Sequence, residues 1–384
     1  MPNNHASREI EWPGEYVRPR DAVRILARMV LADIPTILIG PPGIGKSAIA
    51  KQLVEAIRLP DGRPRFRSAM VLNISYRKPT FVGGQPIIAE KEIRTGGETV
   101  CLQVARYVPP DLLPLGDDMA DTLIIWDDIS SAPPAVQAAF LEVLHEKKLG
   151  SYDLPRGTYQ IGTANRAGDH IAAFDLSAAV ISRGAIVGMC PDAEDLRRYA
   201  LHNGWDRRIV GLFAFRPDLT FSFDPRTDGG RNFPTGRTWE HVDRLLKTGW
   251  EPESDSLALA TAASVVGPGA AAEFVAFCQT YGTLPDPAEV YRGKSPKAPS
   301  DPAAAWAWAC ALASRALEEQ DLVGAGARLA AYGMESMPGE YLMVAMRDFL
   351  ASPRVADPKI RRSLVATAEL KAFHDRFHKT VLAG

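Results

Sequence analysis

Eight residues constrain this chain more than any others. Gly40-Pro41-Pro42-Gly43-Ile44-Gly45-Lys46-Ser47 fits the pattern G-x-x-x-x-G-K-[ST] in full. A β-branched run from Thr36 to Ile39 precedes it, and a helical pattern from Lys46 to Ile57 follows. In that setting of strand, glycine-rich turn and helix, backbone N–H groups close around phosphate oxygens and the helix N-terminus adds partial positive charge. Lys46 would then reach the β- and γ-phosphates of a nucleotide, and the Ser47 hydroxyl would meet Mg²⁺. The candidate binding stretch runs from Gly40 to Ala48. The plainer alternative, a turn that binds nothing, does not explain why context and motif agree.

A phosphate cradle of this kind needs an acidic element on a neighbouring strand. Leu123-Ile124-Ile125-Trp126-Asp127-Asp128 supplies four apolar residues and then two carboxylates. Asp127 would hold Mg²⁺, directly or through water, and Asp128 would orient or deprotonate an attacking water. Further short apolar runs at Ala69–Ile74, Thr158–Gly162 and Ala185–Met189 alternate with helical patterns such as Pro134–Glu146 and Asp175–Ser182. Five such runs joined by helices predict an α/β fold whose parallel sheet is covered on both faces. The Gly- and Pro-rich stretch 77–118 breaks the rhythm, and its Ile/Val alternation between Glu90 and Tyr107 predicts an inserted β-hairpin.

At this point the sequence resembles the AAA+ ATPases, and among them the MoxR-type group, over about residues 15–280. The group resemblance rests on Ile129-Ser130-Ser131-Ala132-Pro133-Pro134-Ala135-Val136-Gln137 after the acidic pair, and on the hairpin insert in the second helix. The resemblance implies ATP and Mg²⁺ as cofactors and three further site residues. Asn165, ending Ile161-Gly162-Thr163-Ala164-Asn165, matches the polar sensor that orients water near the γ-phosphate. Arg183, ending Ala178-Ala179-Val180-Ile181-Ser182-Arg183, matches the arginine finger that acts on a neighbouring subunit's nucleotide. Arg237, in Phe233-Pro234-Thr235-Gly236-Arg237-Thr238-Trp239, matches the lid arginine that contacts phosphate in cis. For either arginine the plainer reading is a surface ion pair.

Two positions depart from the group. Asp128 stands where Glu is usual, and its carboxylate is one methylene shorter. A setback of about 1–1.5 Å can lower a rate on the order of 10²-fold unless the backbone compensates. Gly236 stands where related lids often carry Pro.

The resemblance also implies the architecture: an α/β nucleotide-binding core at 15–190, a helical lid at 191–282, and a helical C-terminal region at 303–384. The proline-rich stretch 283–302, with prolines at 285, 287, 296, 299 and 302, is expected to be a linker or irregular loop. An arginine finger in trans requires a neighbour, so the expected assembly is a ring, a homo-hexamer. MoxR-type proteins remodel a protein client, often with a partner that carries a von Willebrand factor A domain. Tyr76 and Phe81, after the second strand, would face the pore of such a ring; packing into the core is the alternative favoured for both.

Charge bears on the competing class, a nucleic-acid motor or restriction-type NTPase on the same core. Lys+Arg 44 against Asp+Glu 46 leaves a net charge of −2, which argues against a dominant polyanion-binding surface. Arg77, Lys78 and a C-terminal stretch with seven Lys/Arg against three acids keep that class open. A third class, an ATP-gated scaffold that barely hydrolyses, follows from Asp128. Four cysteines without metal-ligand spacing fit a reducing compartment. The polar N-terminus has no apolar core of a signal peptide, and the apolar stretch from Ala303 is too short to span a bilayer. A cytoplasmic protein without a membrane span is expected. His374 and His378 share a helix face at i, i+4, with no third metal ligand near them in sequence.

Overall fold

A computed structural model describes residues 16–110, 113–114, 116–149, 152–166, 169, 176, 182–224 and 232–381. The chain divides into two compact units between Asp192 and Ala193.

The first unit is built on a parallel sheet. Its strands are β1 (Tyr16–Val17), β2 (Thr36–Ile39), β3 (Ser68–Asn73), β6 (Thr122–Asp127), β9 (Tyr159–Ala164) and β10 (Ala185–Met189). Their order across the sheet is β1-β10-β2-β9-β6-β3. The sheet therefore has six strands, not the five expected. The extra one, β1, is two residues long and pairs with β10 at the sheet edge, Tyr16 opposite Gly188 and Val17 opposite Met189. A two-residue strand leaves no alternation for sequence to display.

Both faces of the sheet are buried, and alternation along β6 shows how. Leu123 and Ile125 pack with α1 (Pro19–Leu31) and α2 (Lys46–Ala56) on one face. Ile124 and Trp126 pack with α4 (Pro134–Glu146) on the other. A buried polar residue, Gln160 on β9, ties the second layer together. Its Oε1 accepts from Trp126 Nε1 at 2.8 Å and its Nε2 donates to the Val143 carbonyl at 2.7 Å. With both its oxygen and its nitrogen bonded, the buried amide helps fix the register.

Between β3 and β6 the chain forms the short helix α3 (Pro79–Gly83) and a long hairpin, β4 (Gln85–Thr95) with β5 (Glu98–Val108). A small hairpin, β7 (Lys148–Leu149) with β8 (Tyr152–Asp153), follows α4. Most of the helical pattern expected at Asp175–Ser182 lies outside the described residues.

The second unit is helical: α5 (Ala193–His202), α6 (Arg207–Phe215), α7 (Gly236–Lys247), α8 (Ala258–Val266), α9 (Pro268–Gly282), α10 (Ala288–Tyr291), α11 (Pro302–Glu318), α12 (Leu322–Ser336), α13 (Gly339–Ala351), α14 (Pro358–Ala366) and α15 (Ala368–Val381). Two apolar clusters run through it. Trp239 and Phe274 anchor one, and Trp308, Leu329 and Phe349 the other. Helix α11 serves both, with Ala307 in the first and Trp308 in the second. The stretch 283–302 is irregular apart from α10, and Val290 there is fully buried in the second cluster. Arg197 on α5 makes two 2.6 Å bonds to the Asp348 carboxylate on α13. Burial works against the Arg197 charge, but the carboxylate outweighs it and holds the guanidinium well above its usual range.

Candidate functional site

The site forms where β2, β6 and β9 end side by side, because parallel strands deliver their C-terminal ends to one edge of the sheet. The phosphate loop leaves β2 and turns into α2. Gly45 caps that helix at φ 93°, a left-handed conformation that suits glycine. Gly40 is required for a different reason. A Cβ there would lie 2.6 Å from the Met189 carbonyl oxygen at the end of β10, so the loop sits tightly against the sheet.

Lys46 and Ser47 open α2 and face the ends of the neighbouring strands. Lys46 Nζ donates to the Gly40 and Pro41 carbonyls at 2.9 Å each, and to Asn165 Oδ1 at 2.8 Å. Ser47 Oγ donates to Asp127 Oδ1 at 2.5 Å. The same carboxylate oxygen accepts from Thr163 Oγ1 at 2.7 Å, and that hydroxyl accepts from the Asp128 backbone N–H at 3.1 Å. Thr163 therefore bridges the two members of the acidic pair. Asp128 lies at φ 61°, ψ 47°, a left-handed conformation that Asp tolerates. Its Oδ1 accepts from Ser131 Oγ at 2.7 Å and from Asn165 Nδ2 at 3.2 Å. Asn165 is oriented without ambiguity, because its oxygen must face the ammonium and its NH₂ the carboxylate. Its own backbone N–H donates to Ser130 Oγ at 2.9 Å.

Two connected sets result: Ser47–Asp127–Thr163, and Lys46–Asn165–Asp128–Ser131. The sequence-derived residues Lys46, Ser47, Asp127, Asp128 and Asn165 thus meet at one half-buried edge. Ser47 and Asp127 offer a hydroxyl and a carboxylate in contact, an all-oxygen donor set that fits Mg²⁺. Thr163, Ser130 and Ser131 were not singled out from sequence; a hydroxyl two residues before the sensor and a pair of serines one residue beyond the acidic pair were the signal.

Arg183 is not part of this cluster. Arg183 is exposed and stands two residues before β10. Ala185 pairs with Thr36 at the start of β2, so Arg183 lies at the opposite edge of the sheet from the phosphate loop. Four residues of β2 separate those edges by about 13 Å. Ala178–Ile181, which precede it in the matched segment, lie outside the described residues. Arg237 belongs to the second unit, exposed in the first turn of α7 behind a capping box of Thr235 and Thr238. Tyr76 departs from the expected core packing. The residue is 71% exposed, with the Arg77 guanidinium 4.8 Å from its ring centroid. Phe81 is partly buried against the cluster around Trp126 and takes the same guanidinium at 4.4 Å. Trp308 is buried in the cluster around α11, with Trp306 partly buried against it. Among the described residues, no group of three or more His, Cys, Asp or Glu is placed to hold a metal. Nor is any helix there long and apolar enough to cross a membrane.

Residues 35–183 match the AAA domain of the dynein-related subfamily. No curated protein matches the chain. Solved structures similar to it include a candidate ATPase from Cytophaga hutchinsonii, at 13% identity over 87% of this chain and 82% of that one, with a TM-score of 0.31. They also include the RuvB Holliday junction branch migration motor of Thermotoga maritima, at 12% identity, 85% and 86% coverage, and a TM-score of 0.33. A third is NtrX from Brucella abortus, at 13% identity, 86% and 67% coverage, and a TM-score of 0.34. Such scores are too low to carry any property from those proteins to this one. The phosphate loop thus lies at the C-terminal edge of a six-stranded parallel sheet, within the residues that match the AAA domain.

Proposed function

We propose that this chain binds ATP with Mg²⁺ and hydrolyses it as a subunit of an AAA+ ring, a homo-hexamer, and that the ring remodels a protein client in the MoxR manner. The observation that carries the reading is the pair of hydrogen-bonded sets joining Lys46 to Asp128 through Asn165 and Ser47 to Asp127. Each joins a phosphate-loop residue to one member of the acidic pair, which is the arrangement phosphoryl transfer requires.

In this mechanism the loop from Gly40 to Ala48 binds the phosphates, and Lys46 exchanges its carbonyl partners for phosphate oxygens. Ser47 and Asp127 hold Mg²⁺, which when bound neutralises phosphate charge. Asp128 orients and deprotonates the attacking water, and Asn165 fixes that carboxylate against the γ-phosphate. Arg183 acts in trans; its place at the far edge of the sheet supports a target in another subunit. Arg237 contacts phosphate in cis from a lid at 191–282. The client partner carries a von Willebrand factor A domain, and the setting is cytoplasmic.

The first test is Lys46→Ala. It should abolish tight ATP binding in equilibrium titration with a fluorescent analogue, and with it turnover. Unchanged affinity would overturn the site assignment. A second reading, an ATP-gated scaffold with slow turnover, is favoured by one observation. The short Asp128 side chain is already held by Ser131 and Asn165.

A further inference from the structure

The β4–β5 hairpin has chemistry that the nucleotide site does not use. Its two strands are eleven residues each and pair from Gln85↔Val108 to Thr95↔Glu98. Among the described residues no third strand joins them, and a two-stranded ribbon is marginal alone. Its side chains are largely exposed, Ile88 to 79%.

The register sorts those side chains into two unlike faces. One carries Ile87, Ile93, Val100 and Leu102 with the cations Lys91 and Arg106. The other carries Ile88 and Tyr107 near the base, then the acids Glu90 and Glu92 beside Cys101. Arg94 lies at its tip. Cys101 Sγ lies 3.9 Å from Glu90 Oε2, as expected of neighbours on one face.

We propose that these two faces are the two sides of one contact between copies of this chain, hairpin stacked on hairpin and pointing the same way. Because successive side chains point to opposite faces, a same-direction, in-register stack sets each residue over its sequence neighbours in the next copy. Lys91 then falls between Glu90 and Glu92 of the next copy. Arg106 lies over the ring of Tyr107 of the next copy, a cation–π arrangement. Ile87 covers Ile88 of the next copy, the most exposed large apolar side chain of the hairpin. At the tip, Glu98 lies diagonal to Arg94 of the next copy. Packing either face on its own duplicate about a two-fold along the hairpin instead sets Lys91 over Leu102 and Arg106 over Ile87, or Glu90 over Gln103 and Glu92 over Cys101, so that none of these charges meets an opposite one. The charge pattern therefore favours a head-to-tail contact over a two-fold one, and head-to-tail contacts close into rings. The inference rests on the reading of the chain as a ring subunit and adds the surface and its polarity.

The test is assembly with a non-hydrolysable ATP analogue, followed by sedimentation velocity at low salt, with nucleotide affinity measured alongside to confirm folding. Lys91→Glu should raise the concentration needed for assembly about tenfold. Adding Glu90→Lys and Glu92→Lys to that variant should restore it. Assembly of Lys91→Glu at the unsubstituted concentration would overturn the proposal and leave the ring standing. A nucleotide-bound chain that never assembles would remove both. A second measurement does not depend on charge. In a Cys190→Ser background, chains keeping Cys101 are mixed with chains carrying Cys101→Ser and Leu102→Cys. A short bismaleimide should link the mixture and neither chain alone. Linking within either population alone, or none in the mixture, would overturn the proposal.

Discussion

Asp128 occupies a backbone conformation that costs an ordinary residue about 1–2 kcal/mol, and two side chains hold it there. A Glu at this position would carry the carboxylate one methylene deeper into the site from the same anchored backbone. Asp128→Glu is therefore expected to raise kcat about tenfold with ATP affinity unchanged, measured as steady-state phosphate release. Turnover at or below the parent value would show that Asp128 already reaches the water. At this scale the motif residues were legible, because G-x-x-x-x-G-K-[ST] and paired acids after an apolar run each state a chemical requirement. Thr163 was not legible. A threonine inside Ile161–Ala164 reads as an ordinary strand residue, and only the register of β9 against β2 and β6 brings its hydroxyl to Asp127.

Elements were legible in proportion to their length and pattern. The run Thr122–Trp126 announced a buried strand, which extends to Asp127, and the alternation from Glu90 to Tyr107 announced a hairpin that extends to Gln85 and Val108. β1, β7 and β8 escaped notice because two residues carry no period. Tyr76 was misjudged for a related reason. An aromatic ring usually buries, but this side chain stays in solvent with the Arg77 guanidinium against its face. Pairings between distant helices leave no trace in sequence at all, and Arg197 with Asp348 is the clearest. Both side chains are at most 3% exposed, so removing one partner strands the other charge in the interior. Asp348→Ala should cost about 3–5 kcal/mol in urea denaturation followed by helical circular dichroism. A loss below about 1 kcal/mol would mean that Glu194, which also bonds Arg197, suffices as its counter-charge.

For the molecule as a whole, the decisive fact is which residues share an edge of the sheet. Arg183 stands at the edge where the parallel strands begin, and the phosphate loop at the edge where they end. On the function proposed above, an arginine so placed would serve a neighbour's nucleotide. Arg183→Ala chains should bind ATP normally and lose hydrolysis. Mixing them with Lys46→Ala chains should partly restore it, because one population supplies a working phosphate loop and the other a working arginine. Failure of complementation, in an assembly shown to exchange subunits, would place Arg183 outside the catalytic machinery.

Strand β10 joins those two edges. Near its start is Arg183, and at its end the Met189 carbonyl rests against Gly40, with no space between them for a methyl group. Five residues of extended backbone, about 16 Å, have little slack. The strand is also hydrogen-bonded along one side to β2, which itself runs into the phosphate loop. A displacement of the loop that pushes on Met189 has nowhere to dissipate along such a rod. It emerges at the far edge, where Arg183 stands, and in the proposed ring that edge would carry the state of one pocket to the arginine offered to the next subunit.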